Sequence, residues 1–209
     1  MIPMNALTNA ENHFRKNRLG MQRALSRIFL GAVLVVAGAC ASAPEIYRDP
    51  NMDMSSIYTV AVMPFVNLSR DQLASERVRD VFTTMVLADG RVYVVPTGEV
   101  AQQVSMAAIP NPATPTKEEI IKLGKLLKVQ GVVTGVIREY GEVRAGASSA
   151  NVISLSVQVT EVDTGKVVSS VGITKGGIGI AERLLGGGGE PMNDVTAKAI
   201  KDVIKKLFL

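Results

Sequence analysis

The stretch that decides the fold is Ile153-Ser154-Leu155-Ser156-Val157-Gln158-Val159-Thr160, in which apolar and polar residues alternate. Successive side chains of a β-strand point to opposite sides, so this pattern predicts a strand with one buried face and one polar face. Asp163-Thr164-Gly165 has the composition of a hairpin turn and leads into a further strand over 166–174. The segment therefore predicts an antiparallel sheet with one polar side.

Apolar runs elsewhere in the chain predict the rest of the sheet. Three more strands are expected over 58–65, 92–96 and 131–137. Together with the intervening helices, the order β-α-β-α-α-β-β-β-α indicates a single domain with a mixed β-sheet of about five strands flanked by helices. The fold class is α/β, with α+β as the alternative, and the last three strands should form an antiparallel meander.

Helix boundaries are marked by capping residues. A first helix should end at Asp89-Gly90, and a second should be capped by Thr97. Thr116 and Glu119 form a capping box, Thr-x-x-Glu, at the start of a third helix. A last helix should be capped by Asn193 or Asp194. Glu118 and Glu119 are therefore explained by a helix start rather than by acid–base catalysis.

The charge is concentrated at the amino terminus. The 209 residues carry 23 Lys and Arg against 19 Asp and Glu, a net charge of +4. Residues 1–39 hold five of these basic residues and one acid, Glu11, which leaves 18 basic and 18 acidic residues from Cys40 onward. A balanced domain lacks the basic patch that nucleic acids require, so no nucleic-acid partner is expected.

Two scarce residue types exclude most catalytic sites. His13 is the only histidine and Cys40 the only cysteine. If the leader is removed before Cys40, the remaining chain cannot build a Ser-His-Asp triad or a zinc site of Cys and His ligands. We therefore expect a protein that is not an enzyme and holds no cofactor. A hydrolase that uses carboxylates alone is the remaining catalytic alternative.

Residues 1–39 have the features of an export signal, for which Met21 is an alternative start. An apolar run over 28–37 follows Arg23 and Arg27, and it is too short to span a bilayer. The sequence Ala37-Gly38-Ala39-Cys40 resembles the lipobox of bacterial lipoproteins, which implies that Cys40 is fatty-acylated and anchors the chain in a membrane. Ala41-Ser42 implies sorting to the outer membrane, on its periplasmic face. The alternative is an ordinary signal peptide cut after Ala39.

The rest of the chain is expected to divide into a lipidated tether over 40–56 and a periplasmic domain over 57–209. Within that domain, the polar residues 141–150 are expected to link two strands. The glycine-rich segment, 175–191, carries four apolar residues that are costly to expose. It is either a flexible surface loop or a contact loop that docks on a neighbouring subunit or on lipid. The apolar residues are Ile178, Ile180, Leu184 and Leu185.

Several segments resemble the curli-assembly CsgG family of lipoproteins, whose relatives include PelC, LpoB and the amino-terminal domain of TolB. They are Val60-Ala61-Val62-Met63-Pro64-Phe65-Val66-Asn67-Leu68-Ser69, the passage 123–135, the strand 155–162 and the turn Thr164-Gly165-Lys166-Val167-Val168. The resemblance covers roughly 57–208. It implies an anticodon-binding-domain-like fold and periplasmic proteins that form rings or dock on envelope machines.

The leading functional hypothesis is a non-enzymatic scaffold or ring component of a system for secretion or surface-polymer export. It implies a homo-oligomer and envelope protein partners. The alternative is a regulatory lipoprotein that binds and activates a peptidoglycan synthase. Such a regulator must reach across the cell wall from its anchor, for which the predicted tether is short.

Overall fold

A computed structural model describes residues 44–52, 54–145, 148–177 and 189–208, with Ala145 and Ser148 as backbone only. These residues form one α/β unit of seven strands and four α-helices. The strands are β1 (Glu45–Arg48), β2 (Thr59–Val62), β3 (Val66–Asn67), β4 (Tyr93–Val94), β5 (Gly131–Ala145), β6 (Ser148–Glu161) and β7 (Val167–Gly176). The helices are α1 (Ala74–Asp89), α2 (Thr97–Met106), α3 (Lys117–Leu127) and α4 (Met192–Leu207).

The strands form one mixed sheet in the order β1-β7-β6-β5-β2-β4, and β3 pairs with β5 next to β2. β5, β6 and β7 are consecutive antiparallel neighbours, which confirms the predicted meander. β2 runs parallel to both β4 and β5. The predicted fold class and the mixed sheet are therefore confirmed.

One side of the sheet, which we call the closed face, is covered along its length by α1 and α4. Val133 pairs with Val159 and Val157 pairs with Val171 on this side, and all four are buried. They belong to one apolar cluster with residues of both helices. Phe82 of α1 meets Phe65 edge to face, with ring centroids 5.9 Å apart. This aromatic contact joins the helix to the chain that follows β2.

The other side, which we call the open face, is covered at one end only by the described part of the chain. There α2 and α3 pack on β2 and the start of β5 through a second apolar cluster that includes Met63, Leu123 and Val132. Farther along the same side, Ser154, Ser156 and Gln158 of β6 are half-exposed. The alternation of residues 153–160 thus separates a buried side from a polar one, as predicted.

The capping box of α3 is present: the Glu119 amide donates to Thr116 Oγ1, and the Thr116 amide donates to a Glu119 carboxylate oxygen. Gly90 ends α1 with a φ of +75°, a conformation that favours glycine. Two other predicted caps are wrong. α2 and α4 both begin directly after a proline, so Thr97 lies inside α2 and Asn193 and Asp194 lie inside α4.

Two of the seven strands were not expected. β1 lies inside the segment predicted to be a tether, and it pairs antiparallel with β7 at the edge of the sheet. β3 follows Phe65 directly, and it pairs with Val136 and Ile137 of β5. Both are short and exposed or half-exposed, so their pairing depends on backbone bonds to a neighbouring strand rather than on a local apolar pattern.

Candidate interaction surfaces

The uncovered part of the open face is a row of small polar side chains. Thr174 Oγ1 donates to Ser154 Oγ at 3.0 Å, and Arg138 Nη2 donates to Ser156 Oγ at 3.3 Å. A cavity of about 250 Å³ lies where this row meets the segment before α3, between Thr114 and Gln158. Its lining residues include no charged side chain. Apart from Arg138, these groups are uncharged hydrogen-bonding side chains, and the described lining of the cavity offers no acid–base pair.

β5 and β6 continue past the end of β7 as a two-stranded hairpin. We call this hairpin the arm, and it comprises residues 141–145 and 148–151. Glu142 lies opposite Asn151 and Arg144 opposite Ser149, whereas β6 pairs with β7 from Val152 onward. The link expected over 141–150 is therefore shorter than predicted, because its described residues 141–145 and 148–150 belong to β5 and β6. Antiparallel pairing satisfies the backbone whatever the side chains, so a polar sequence can still form strands.

The carboxylates with resolved pKa shifts are stabilised in the ionised form. Hydrogen bonding from Ser149, and then from Arg144, lowers the pKa of Glu142, an exposed group on the arm. A hydrogen bond from Lys175 lowers the pKa of Asp202 on α4. A general acid at neutral pH requires a raised carboxyl pKa, so neither group suits that role.

Burial lowers the pKa of Arg79, whose guanidinium donates to the Val62 carbonyl through Nε at 3.2 Å and Nη2 at 2.5 Å. This arginine completes the hydrogen bonding at the end of β2. Among the described residues, no group of three His, Cys, Asp or Glu side chains could hold a metal ion. Met63 is fully buried, and Met52 and Met54 pack against the core, so these methionines fill space as expected.

The turn after β3 is held by its own side chains. Asn67 Nδ2 donates to the Asp71 carbonyl at 2.7 Å, and Ser69 Oγ donates to Asn67 Oδ1 at 2.7 Å. Asn67 and Ser69 thus form hydrogen bonds within the turn. With these groups engaged locally, the turn presents Leu68 outward, and that side chain is 66% exposed.

Both described ends of the glycine-rich segment lie at the base of the arm. The Gly177 amide donates to the Asn151 carbonyl at 2.9 Å, and Asn151 Nδ2 donates to the Glu190 carbonyl at 2.8 Å. A Cβ on Gly189 would lie 2.7 Å from Ala150 Cα, so glycine permits this close approach. The proposed contact residues Ile178, Ile180, Leu184 and Leu185 lie outside the described residues.

The proposed lipid attachment site, Cys40, also lies outside the described residues, which begin at Pro44. The first strand begins directly afterwards, and Glu45 pairs with Gly172 of β7. In the described part of the chain, no helix is both long enough and apolar enough to cross a membrane.

No protein-family model matches the chain, and no curated protein sequence matches it. Solved structures do share the fold. The PelC dodecamer from Paraburkholderia phytofirmans aligns with a TM-score of 0.53 and 14% identity, over 79% of this chain and 98% of that one. Lipoprotein GNA1162 from Neisseria meningitidis aligns with a TM-score of 0.53 and 17% identity, over 71% of this chain and 96% of that one.

A weaker likeness is to the LpoB C-terminal domain from Salmonella enterica, with a TM-score of 0.44 and 13% identity, over 56% of this chain and 81% of that one. That score is too low to establish a common fold. PelC is a relative named by the sequence resemblance, and at such identities its likeness supports the fold alone. Membership of the curli-assembly family stays a prediction.

Sequence reasoning missed two features of these surfaces. The edge position of β1 brings Glu45 beside β7, and the only local signal was the strand-favouring pair Ile46-Tyr47 ahead of Pro50. The arm could have been anticipated from Val143 between Glu142 and Arg144, a short alternation that Gly141 interrupts. Neither signal was strong enough to outweigh the polar composition around it.

Proposed function

We propose that this chain is a lipoprotein anchored through Cys40 at the periplasmic face of the outer membrane. The observation that carries the proposal is the single cysteine directly after a short apolar run and the small residues Ala37-Gly38-Ala39. Acylation would fix the chain firmly when more than one acyl chain is attached, since each buried CH₂ contributes about 0.8 kcal/mol.

Anchored in this way, the domain would act as a non-enzymatic scaffold or ring component in secretion or surface-polymer export. The fold likeness to a PelC dodecamer and to a lipoprotein supports an envelope role. The domain has a polar open face and two sheet edges that are formed by different strands, β1 and β4. Its surfaces therefore differ from one another. A ring of identical subunits needs two unlike surfaces that fit each other.

The mass of the membrane-extracted protein tests the anchor. We expect a chain that begins at Cys40 and carries fatty acyl groups, and we expect Cys40→Ala to abolish both the processing and the membrane association. An intact and unacylated leader on a cytosolic product would overturn the proposal.

Light scattering on the detergent-extracted protein tests the assembly. We expect a species several times the mass of one chain. A strictly monomeric species at high concentration would contradict the ring, although not the anchor.

The regulatory alternative, activation of a peptidoglycan synthase, is less well supported. Because β1 begins at Glu45, the span from Cys40 to the sheet is about 18 Å at full extension. An activator anchored in the outer membrane needs a longer reach to cross the cell wall. Specific capture of a peptidoglycan synthase by the purified lipoprotein, abolished by substitutions on the open face, would reverse this ranking.

A further inference from the structure

We propose that the arm of β5 and β6 rests in the headgroup layer of the membrane that holds Cys40. The occupant of this surface is the phospholipid of the inner leaflet. The inference rests on the proposed function, because it requires that Cys40 is acylated. Two features of the chain support this position: the place where the sheet begins relative to Cys40, and the distance to which the arm extends.

The register of the sheet shows which end of the domain is near the anchor. Glu45 of β1 pairs with Gly172 of β7, which pairs with Ser156 of β6. β1 runs antiparallel to β7, and β7 runs toward the arm, so β1 begins on the side of the sheet from which the arm projects. The chain that leads back to Cys40 therefore leaves the domain at the arm end.

Measured from the level of Glu45, β6 and its arm extend farther than the connection to the anchor. From Ser156, level with Glu45, β6 extends eight residues to Ser148, about 26 Å at roughly 3.3 Å per residue. The five Cα steps from Glu45 to Cys40 span at most about 18 Å. With the strands upright on the membrane, the arm would reach about 8 Å past the anchor residue. The short connection therefore brings the arm into the headgroup layer.

The composition around the arm suits a membrane interface without providing affinity of its own. Leu68 and Val143 are 66% and 37% exposed, and both line a concave surface beneath the arm. The same surface carries three arginines and three acids, so its net charge is zero and it offers little attraction for anionic lipid. The arginines are Arg70, Arg138 and Arg144, and the acids are Asp71, Glu139 and Glu142. The contact of the arm with the membrane therefore depends on the short connection between the sheet and Cys40.

A tryptophan reporter tests this orientation, because the chain has no tryptophan of its own. We would place one tryptophan on the arm, either Val143→Trp or Arg144→Trp, since the Arg144 side chain is 77% exposed. The control is Tyr58→Trp, since Tyr58 is 62% exposed and precedes β2, at the end of the sheet opposite the arm. Each acylated protein is reconstituted into vesicles of phosphatidylethanolamine and phosphatidylglycerol, with plain or brominated acyl chains.

Brominated lipid should remove at least about half of the emission of Val143→Trp and Arg144→Trp and leave Tyr58→Trp unchanged, since interfacial segments are buried about 5–10 Å into the boundary between headgroups and acyl chains. Arg144→Trp decides the matter if Val143→Trp fails to fold. If the protein binds vesicles but neither arm position is quenched, or Tyr58→Trp is quenched equally, the proposed orientation is wrong. The proposed function is unaffected by that outcome. If the wild-type protein lacks acyl groups and does not float with vesicles, both the proposed function and the proposed orientation are wrong.

Discussion

The closed face and the open face are built from alternate residues of the same strands, yet they have different partners. On β6, Leu155, Val157 and Val159 are almost completely buried beneath α1 and α4, whereas the intervening Ser156 and Gln158 remain half-exposed. The closed face contributes most of the apolar core, and the open face is covered by helices at one end only. We therefore expect the closed face to determine the stability of the domain and the open face to make contacts with other molecules.

The largest expected effect is on the closed face, at Phe82. Its side chain is fully buried and meets Phe65 edge to face. Phe82→Ala should lower the free energy of unfolding by about 3–5 kcal/mol, because a cavity replaces the ring. Equilibrium urea unfolding followed by circular dichroism measures the change. The exposed Thr84 on the same helix is the control, and Thr84→Ala should change stability by less than about 0.5 kcal/mol.

A loss from Phe82→Ala that is no larger than that from Thr84→Ala would mean that α1 does not stabilise the closed face.

The second effect concerns the covered end of the open face, at Gly124 of α3. A Cβ at this position would overlap Val162, with Cγ1 2.7 Å away. Gly124→Ala should therefore lower the free energy of unfolding by about 1–3 kcal/mol through overpacking, although the same change in an exposed helix is favourable. The double variant Gly124→Ala, Val162→Ala should recover part of this loss in the same unfolding assay.

Gly98 of α2 is the matched control for Gly124, because a Cβ there would have no neighbour within 4 Å. Gly98→Ala should leave stability unchanged or raise it. Equal effects at the two glycines would show that α3 does not pack closely on the sheet.

The third effect distinguishes the two faces at adjacent residues of β7. Ser169 is fully buried, and its hydroxyl has no hydrogen-bond partner among the described residues. Ser169→Ala should raise the free energy of unfolding by about 1 kcal/mol, since a buried and unpaired hydroxyl is unfavourable. Ser170, half-exposed on the open face, is the control, and Ser170→Ala should be neutral. Thermal unfolding of both variants would measure the difference. A lower stability of Ser169→Ala than of the wild type would contradict this prediction and indicate that a bound water pairs with the hydroxyl.

The smallest effect is a pH dependence at the border of the closed face. Lys175 Nζ lies 2.7 Å from an Asp202 carboxylate oxygen and lowers the pKa of Asp202. Because the folded-state pKa is the lower one, the stabilisation is present above the unfolded pKa and is lost as the pH falls through the folded pKa. The pair is partly exposed, so Asp202→Asn should cost at most about 0.5 kcal/mol at neutral pH.

Unfolding at several pH values would check this prediction for Asp202. The difference between wild type and Asp202→Asn should vanish in acid. A difference that persists below the folded pKa would attribute the effect to packing rather than to charge.

Local patterns predicted much of this fold because their causes are local. The alternation of 153–160 determines which side chains share a face, and the Thr116–Glu119 pair satisfies amide groups within one helical turn. The caps predicted at Thr97 and Asn193 were wrong because Pro96 and Pro191, with φ near −50°, already lead the chain into each helix. Neither helix has a side-chain cap for the amide groups of its first turn.

The sequence by itself determined a sheet with one apolar and one polar side, and a chain without histidine or a second cysteine after Cys40. Only the tertiary structure decided that β1 docks on β7, and that the arm and both ends of the glycine-rich segment meet at the side where β1 begins. The physical reason is that alternation and capping act between near neighbours in the chain. Strand pairing joins distant segments through backbone groups that every residue carries, so side-chain patterns specify it only weakly.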